Sequence, residues 1–144
     1  MIRLAASAAA AAALLLSAAP ALAQSADSRI VLTFETGART GMVMVALFDS
    51  AAAFDGGSGA PVAATAVPAS GPAVAIFENL PAGDYAVKAF HDVDGDGEMD
   101  SNPFGMPIEP YAFSNNAVGN MGPARWSAAS FTVSGETAQT ISIR

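Results

Sequence analysis

The chain has 144 residues, with 13 acidic and 6 basic side chains, a formal net charge of −7 and no cysteine. So few scattered cations cannot assemble a patch for a phosphate backbone, which excludes nucleic-acid binding. The lack of cysteine excludes disulfides, thiolate metal sites, cysteine nucleophiles and a lipidated N-terminal cysteine.

The apolar share of 52% is inflated by Met1–Ala23; without that segment the composition is ordinary for a soluble domain. Arg3 supplies one positive charge, Ala8–Leu16 is unbroken apolar chain, and Ala21-Leu22-Ala23 follows the helix-breaking Pro20. That order is the one read by a secretory signal peptidase, so residues 1–23 are expected to be a cleaved signal and Gln24 the mature start. No Arg-Arg pair is present, which favours the general secretory route over the twin-arginine one. The alanine-rich core is short and weakly apolar for a span of about 20 residues, which argues against a retained anchor. The expected product is periplasmic or secreted, with no membrane association after cleavage.

Residues 24–144 suffice for a single domain around one core. Arg29–Thr36 alternates Ile30, Leu32 and Phe34 with Val31, Thr33 and Glu35, the period of a half-buried strand. Met42–Phe48 is apolar on both faces, as a strand covered from either side should be. Asp49–Phe54 reads as a single capped helical turn. Pro61–Val67 and Pro72–Phe77 are joined by Pro68-Ala69-Ser70-Gly71, which reads as a hairpin connection. Leu80–Tyr85 is a tight turn feeding a strand over Tyr85–Phe90. Ser130–Val133 and Thr140–Ile143 are expected to close the chain as a second hairpin through Ser134-Gly135-Glu136. About seven short strands between glycine and proline turns predict an all-β, Greek-key-like β-sandwich. Asp92–Ala129 lacks regular patterning, and loops of that length are usually functional or held by something.

Within it, Asp92-Val93-Asp94-Gly95-Asp96-Gly97-Glu98-Met99-Asp100 places five carboxylates in nine residues. Acids at positions 1, 3, 5 and 9 with glycine at 6 match the first three-quarters of a calcium loop. Alternate residues of a tight curl point inward, so Asp92, Asp94 and Asp96 can converge on one hard cation. Gly97 permits the turn that faces the Glu98 carbonyl to the ion, and Asp100 binds directly or through water. Position 12 is Pro103, not the bidentate glutamate of an EF-hand, and the segment before the loop is a strand rather than a helix. The missing ligand must come from water, a backbone carbonyl, or a side chain such as Asn102 or Glu109. Affinity should then fall at the weak extracellular end, roughly 10⁻⁴–10⁻³ M. An all-oxygen site favours one calcium ion, with magnesium second. The alternative is a solvated acidic turn.

His91 is the one histidine. As a base it would need a nucleophile and an orienting partner, and no Gly-x-Ser-x-Gly elbow is present. Tyr111, Phe113, Asn115, Asn116 and Trp126 are candidate ligand-binding residues, rings giving contact area and amides orientation. The competing expectation is that the rings plug the sandwich end while the amides bond the loop backbone.

Leu80-Pro81-Ala82-Gly83-Asp84-Tyr85-Ala86-Val87 resembles the turn-and-strand signature of transthyretin-like and carboxypeptidase-regulatory-like domains. Ala89-Phe90-His91-Asp92, Asp94-Gly95-Asp96-Gly97, Gly105-Met106-Pro107, Glu109–Ala117 and Phe131-Thr132-Val133 more specifically resemble domain-of-unknown-function family 2141, as does Val43-Ala46-Leu47-Phe48. Asp96 and Glu98 stand where that family commonly has Asn and Lys, making this loop more acidic. The resemblance implies a small exported β-sandwich and supplies no activity. The sequence therefore points to a non-enzymatic binding or structural module whose end loop is ordered by calcium. Its partner would be an unidentified small molecule, glycan or protein. The alternatives are a calcium-dependent hydrolase using His91, and a carbohydrate- or peptide-binding domain using Tyr111, Phe113 and Trp126.

Overall fold

The computed structural model describes residues 27–144; the expected signal segment, 1–23, lies outside them. Two sheets face each other. The smaller contains β1 (Ser28–Thr36), β4 (Ala73–Leu80) and β8 (Glu136–Ile143) in the order β4-β1-β8. The larger has β2 (Met42–Phe48), β3 (Ala63–Pro68), β5 (Gly83–Asp92) and β6 (Tyr111–Phe113) in the order β3-β2-β5-β6, with β7 (Phe131–Val133) also on β5. The first and last strands run parallel side by side, while β1 and β4 are antiparallel. The all-β sandwich class is the one the sequence predicts, with β6 as an added strand inside the segment that lacks patterning.

The alternation in β1 buries Ile30, Leu32 and Phe34 between the sheets. Val43, Val45 and Leu47 from β2, Tyr85, Val87 and Ala89 from β5, and Ile141 and Ile143 from β8 complete that layer. Gly41 enters β2 at φ +73°, and a Cβ there would lie 2.0 Å from the Asp92 carbonyl oxygen, so only glycine lets the two strands meet here. The capped helical turn expected within Asp49–Phe54 is α1 (Ala51–Phe54), and its cap is Ser50, whose hydroxyl accepts from the Ala53 N–H.

Two connections differ from expectation. β3 and β4 belong to opposite sheets, as do β7 and β8, so neither pair is a hairpin. Both links cross the sandwich edge. At the second, Ser28 Oγ accepts from the Gly135 N–H and the Arg29 N–H donates to the Gly135 carbonyl. Those bonds tie the crossing to β1 and leave β8 paired with it.

A second apolar cluster lies on the outer face of the larger sheet, beneath α1 and α2 (Trp126–Ala129). Phe54 is its centre, edge-on to Phe48 at 5.5 Å and to Phe113 and Trp126 at 6.1 Å each. Aromatic pairs favour this arrangement because a ring's positive edge meets its neighbour's negative face.

Candidate metal centre and adjoining cleft

The acidic loop begins at the last residue of β5. In that strand Tyr85, Val87, Ala89 and His91 face the small sheet, and alternation turns Asp92 to the other side. His91 is 1% exposed, and its Nε2 lies 2.6 Å from the Thr40 carbonyl oxygen. A carbonyl only accepts, so this nitrogen carries the proton and donates.

Asp92 is also 1% exposed. Its Oδ1 accepts from the Gly95 N–H at 2.7 Å and its Oδ2 from the Gly97 N–H at 2.9 Å. Asp94 accepts from the Asp96 N–H, and Asp96 from the Glu98 N–H. Gly95 and Gly97 adopt φ of 81° and 85°, which turns the chain back on itself. These bonds curl the loop and gather its carboxylates on the concave side. Burial opposes the Asp92 charge, yet the N–H groups of Gly97, Gly95 and Asp96, with the Asp94 contact, outweigh it and hold its carboxyl below the usual range.

Two groups of carboxylates result, Asp92–Asp94–Asp96 and Asp94–Asp100–Glu109, the ligand atoms of each lying within 4.8 Å of one another. Asp94 belongs to both. Asp100 responds in the opposite sense to Asp92. Burial first, then the charges of Asp94, Asp96, Glu109 and Asp92, push its carboxyl above the usual value. The Glu98 carboxylate belongs to neither group.

Glu109 reaches the loop from the far end of a short excursion. Its Oε1 accepts from the Val93 N–H at 2.9 Å and its Oε2 from the Asp100 N–H at 3.2 Å. Ser101 bridges Pro107, and the Ile108 N–H donates to the Asp100 carbonyl, so residues 100–108 leave and return at the acidic cluster. Of the two candidates for the missing ligand, Glu109 joins the carboxylates. Asn102 turns away, its Oδ1 accepting from the Phe104 and Met106 N–H groups.

The excursion also forms a wall. A cleft of about 990 Å³ opens over Met44, Lys88 and Phe90 on the outer face of the larger sheet, with Met99, Met106 and Met121 also in its lining. Tyr111 and Phe113 line it too. Trp126 packs on Phe54 instead. Asn115 and Asn116 hold the chain after β6: Asn115 donates to the Ala128 and Ser130 carbonyls, and Asn116 to the Thr140 carbonyl. The sequence reading missed this cleft. Its signal was the alternation that sets Met44, Ala46, Lys88 and Phe90 on one sheet face, obscured because Met42–Phe48 is apolar on both faces.

Residues 35–142 match the family described as "Uncharacterized protein conserved in bacteria (DUF2141)". The chain belongs to that family, as Glu109–Ala117 and the His91-Asp92 loop lead one to expect. No curated protein matches it, and no solved structure does.

Proposed function

We propose that this protein is an exported, non-enzymatic binding module whose acidic loop is ordered by one calcium ion, with magnesium the weaker alternative. The supporting observation is the pair of carboxylate groups sharing Asp94. No cation compensates them: the ion pair found among the described residues joins Arg29 to Glu136. Like charges gathered this closely repel, and a hard divalent cation reverses the sign of that interaction. The donors are all oxygens, which suits calcium better than zinc or copper. Asp92, Asp94, Asp96, Asp100 and Glu109 would hold the ion. Because Asp100 and Glu109 also close the base of the excursion, the ion would fix one wall of the cleft. The hydrolase alternative finds no comparable support, since the buried Nε2 of His91 already donates to Thr40. Export rests on Arg3, Ala8–Leu16 and Ala21-Leu22-Ala23.

Thermal unfolding tests the ion. Binding to the folded state alone adds about 2.7 kcal/mol at a hundredfold excess over Kd, a midpoint rise on the order of 5–10 °C. Calcium should produce that rise and a chelator should reverse it. The Asp94→Asn/Asp96→Asn double variant should lose most of the response while its metal-free form gains stability as repulsion falls. An equal midpoint with calcium and with chelator in the unsubstituted protein would refute the proposal.

A further inference from the structure

Four of the chain's six methionines reach the cleft from four separate segments: Met44 on β2, Met99 in the acidic loop, Met106 in the excursion and Met121 beyond β6. Met106 and Met121 are 62% and 103% exposed, and Tyr111, also exposed, adds its ring to the lining. Apolar surface gathered this way around a concavity marks a binding site. Unbranched thioethers adapt to a partner without a fixed shape, as a flexible alkyl chain is.

Lys88 is the cation of the floor. Its Nζ donates to the Phe54 carbonyl and lies 5.1 Å and 4.7 Å from the ring centres of Phe48 and Phe54. No carboxylate pairs with it among the described residues. An ammonium has three N–H donors, and the Phe54 carbonyl takes one. Burial pushes its pKa down, against a smaller opposing influence from Asp55. The cleft thus offers extensive apolar surface and one cationic side chain in its lining, Lys88, which makes no ion pair among the described residues although Asp55 acts on it from a greater distance. A glycan or peptide would bring many polar groups here, and each one left unpaired weakens binding. A ligand polar at one end only escapes that cost.

We propose that the cleft binds a single-chain anionic amphiphile, an alkyl chain with one carboxylate, the chain lying on the methionines and the sheet and the carboxylate pairing with Lys88. This names the ligand class for the binding module proposed above, but floor and lysine belong to the sheet and need no ion.

Isothermal titration of the purified protein with dodecanoate and dodecyltrimethylammonium below their micelle concentrations, and with dodecan-1-ol below its solubility limit, tests it. Dodecanoate should saturate one site and bind about tenfold more tightly than the alcohol, the effect of one charge-assisted hydrogen bond. The cationic amphiphile should bind weakest. Lys88→Met keeps an unbranched apolar side chain and should make carboxylate and alcohol bind alike. Ala66→Trp, at an exposed position of β3 on the cleft floor, should block both without touching the core. No saturable dodecanoate binding, a carboxylate preference that survives Lys88→Met, or binding unchanged by Ala66→Trp would each overturn the proposal. Adsorption to alkyl vesicles without binding of monomeric dodecanoate would overturn it in favour of a membrane surface. Running each titration with calcium and with chelator separates the two readings. Dodecanoate binding without any calcium response would remove the ion and leave the cleft; a calcium response without dodecanoate binding would do the reverse.

Discussion

Ser114→Ala should be the most destabilising single-atom deletion on the outer face of the larger sheet. The free edge of β5 is shared by two short strands, β7 at Gly83–Tyr85 and β6 at Lys88–Phe90. Val87 falls in the gap. Its N–H is satisfied by Ser114 Oγ at 2.8 Å, and the same hydroxyl donates to the Ala129 carbonyl at 2.6 Å. Ser114 is fully buried, so water cannot replace the lost oxygen without opening the cluster around Phe54. Alanine would orphan one donor and one acceptor at about 1–3 kcal/mol each. Together they should cost roughly 2–6 kcal/mol, which for a domain of this size lowers the midpoint by about 4–24 °C. Urea titration should show a reduced midpoint with an unchanged slope, since the surface exposed on unfolding is the same. A loss below about 1 kcal/mol would refute the reasoning, and would mean that the gap in β5 closes by relaxation or admits water.

Acid should act in opposite senses on the two perturbed aspartates. Asp92, held below its usual value, stabilises the fold above the ordinary carboxylate range and loses that contribution as pH falls through its depressed value. Asp100, held above its usual value, opposes folding at neutral pH without an ion, and protonation through its raised value relieves this. With chelator, the unfolding midpoint followed against pH should therefore rise on mild acidification and fall on stronger acidification. With calcium the rise should vanish, because protons compete with the ion for the same oxygens; a rise of equal size in both conditions would contradict this. His91→Ala leaves a cavity and orphans the Thr40 carbonyl, so it should cost roughly 2–4 kcal/mol in urea titration. Hydrolysis of model esters should stay at the buffer rate with and without the substitution. An activity lost in the variant while fold and calcium response persist would restore the hydrolase reading.

The period-two pattern of β1, the two-sided apolar run of β2, the turn into β5 and the capped helical turn within Asp49–Phe54 were legible in the sequence, because each is determined by residues within a few positions of one another. Sheet membership was not. Pro68-Ala69-Ser70-Gly71 and Ser134-Gly135-Glu136 carry the same turn chemistry whether the chain folds back beside itself or crosses to the opposite sheet. The choice is made by distant partners, such as Ser28 for Gly135. Tyr111–Phe113 is too short to show a period, and it forms a strand because β5 offers an open edge. The acidic loop announced itself by spacing, whereas the place of Glu109 depends on the excursion closing between Ser101 and Pro107. The cleft was the least legible feature. Its methionines converge only after four segments have packed, and its lysine reads in sequence as an ordinary strand-surface charge.

Calorimetric titration of the metal-free protein with calcium reads the ion site itself. One ion per chain should bind with a Kd between about 10⁻⁴ and 10⁻³ M, weakened strongly by Asp94→Asn/Asp96→Asn. No saturable binding up to about 10 mM, ten times the weak end of that range, would contradict it and leave the loop a solvated acidic turn held by its own backbone hydrogen bonds.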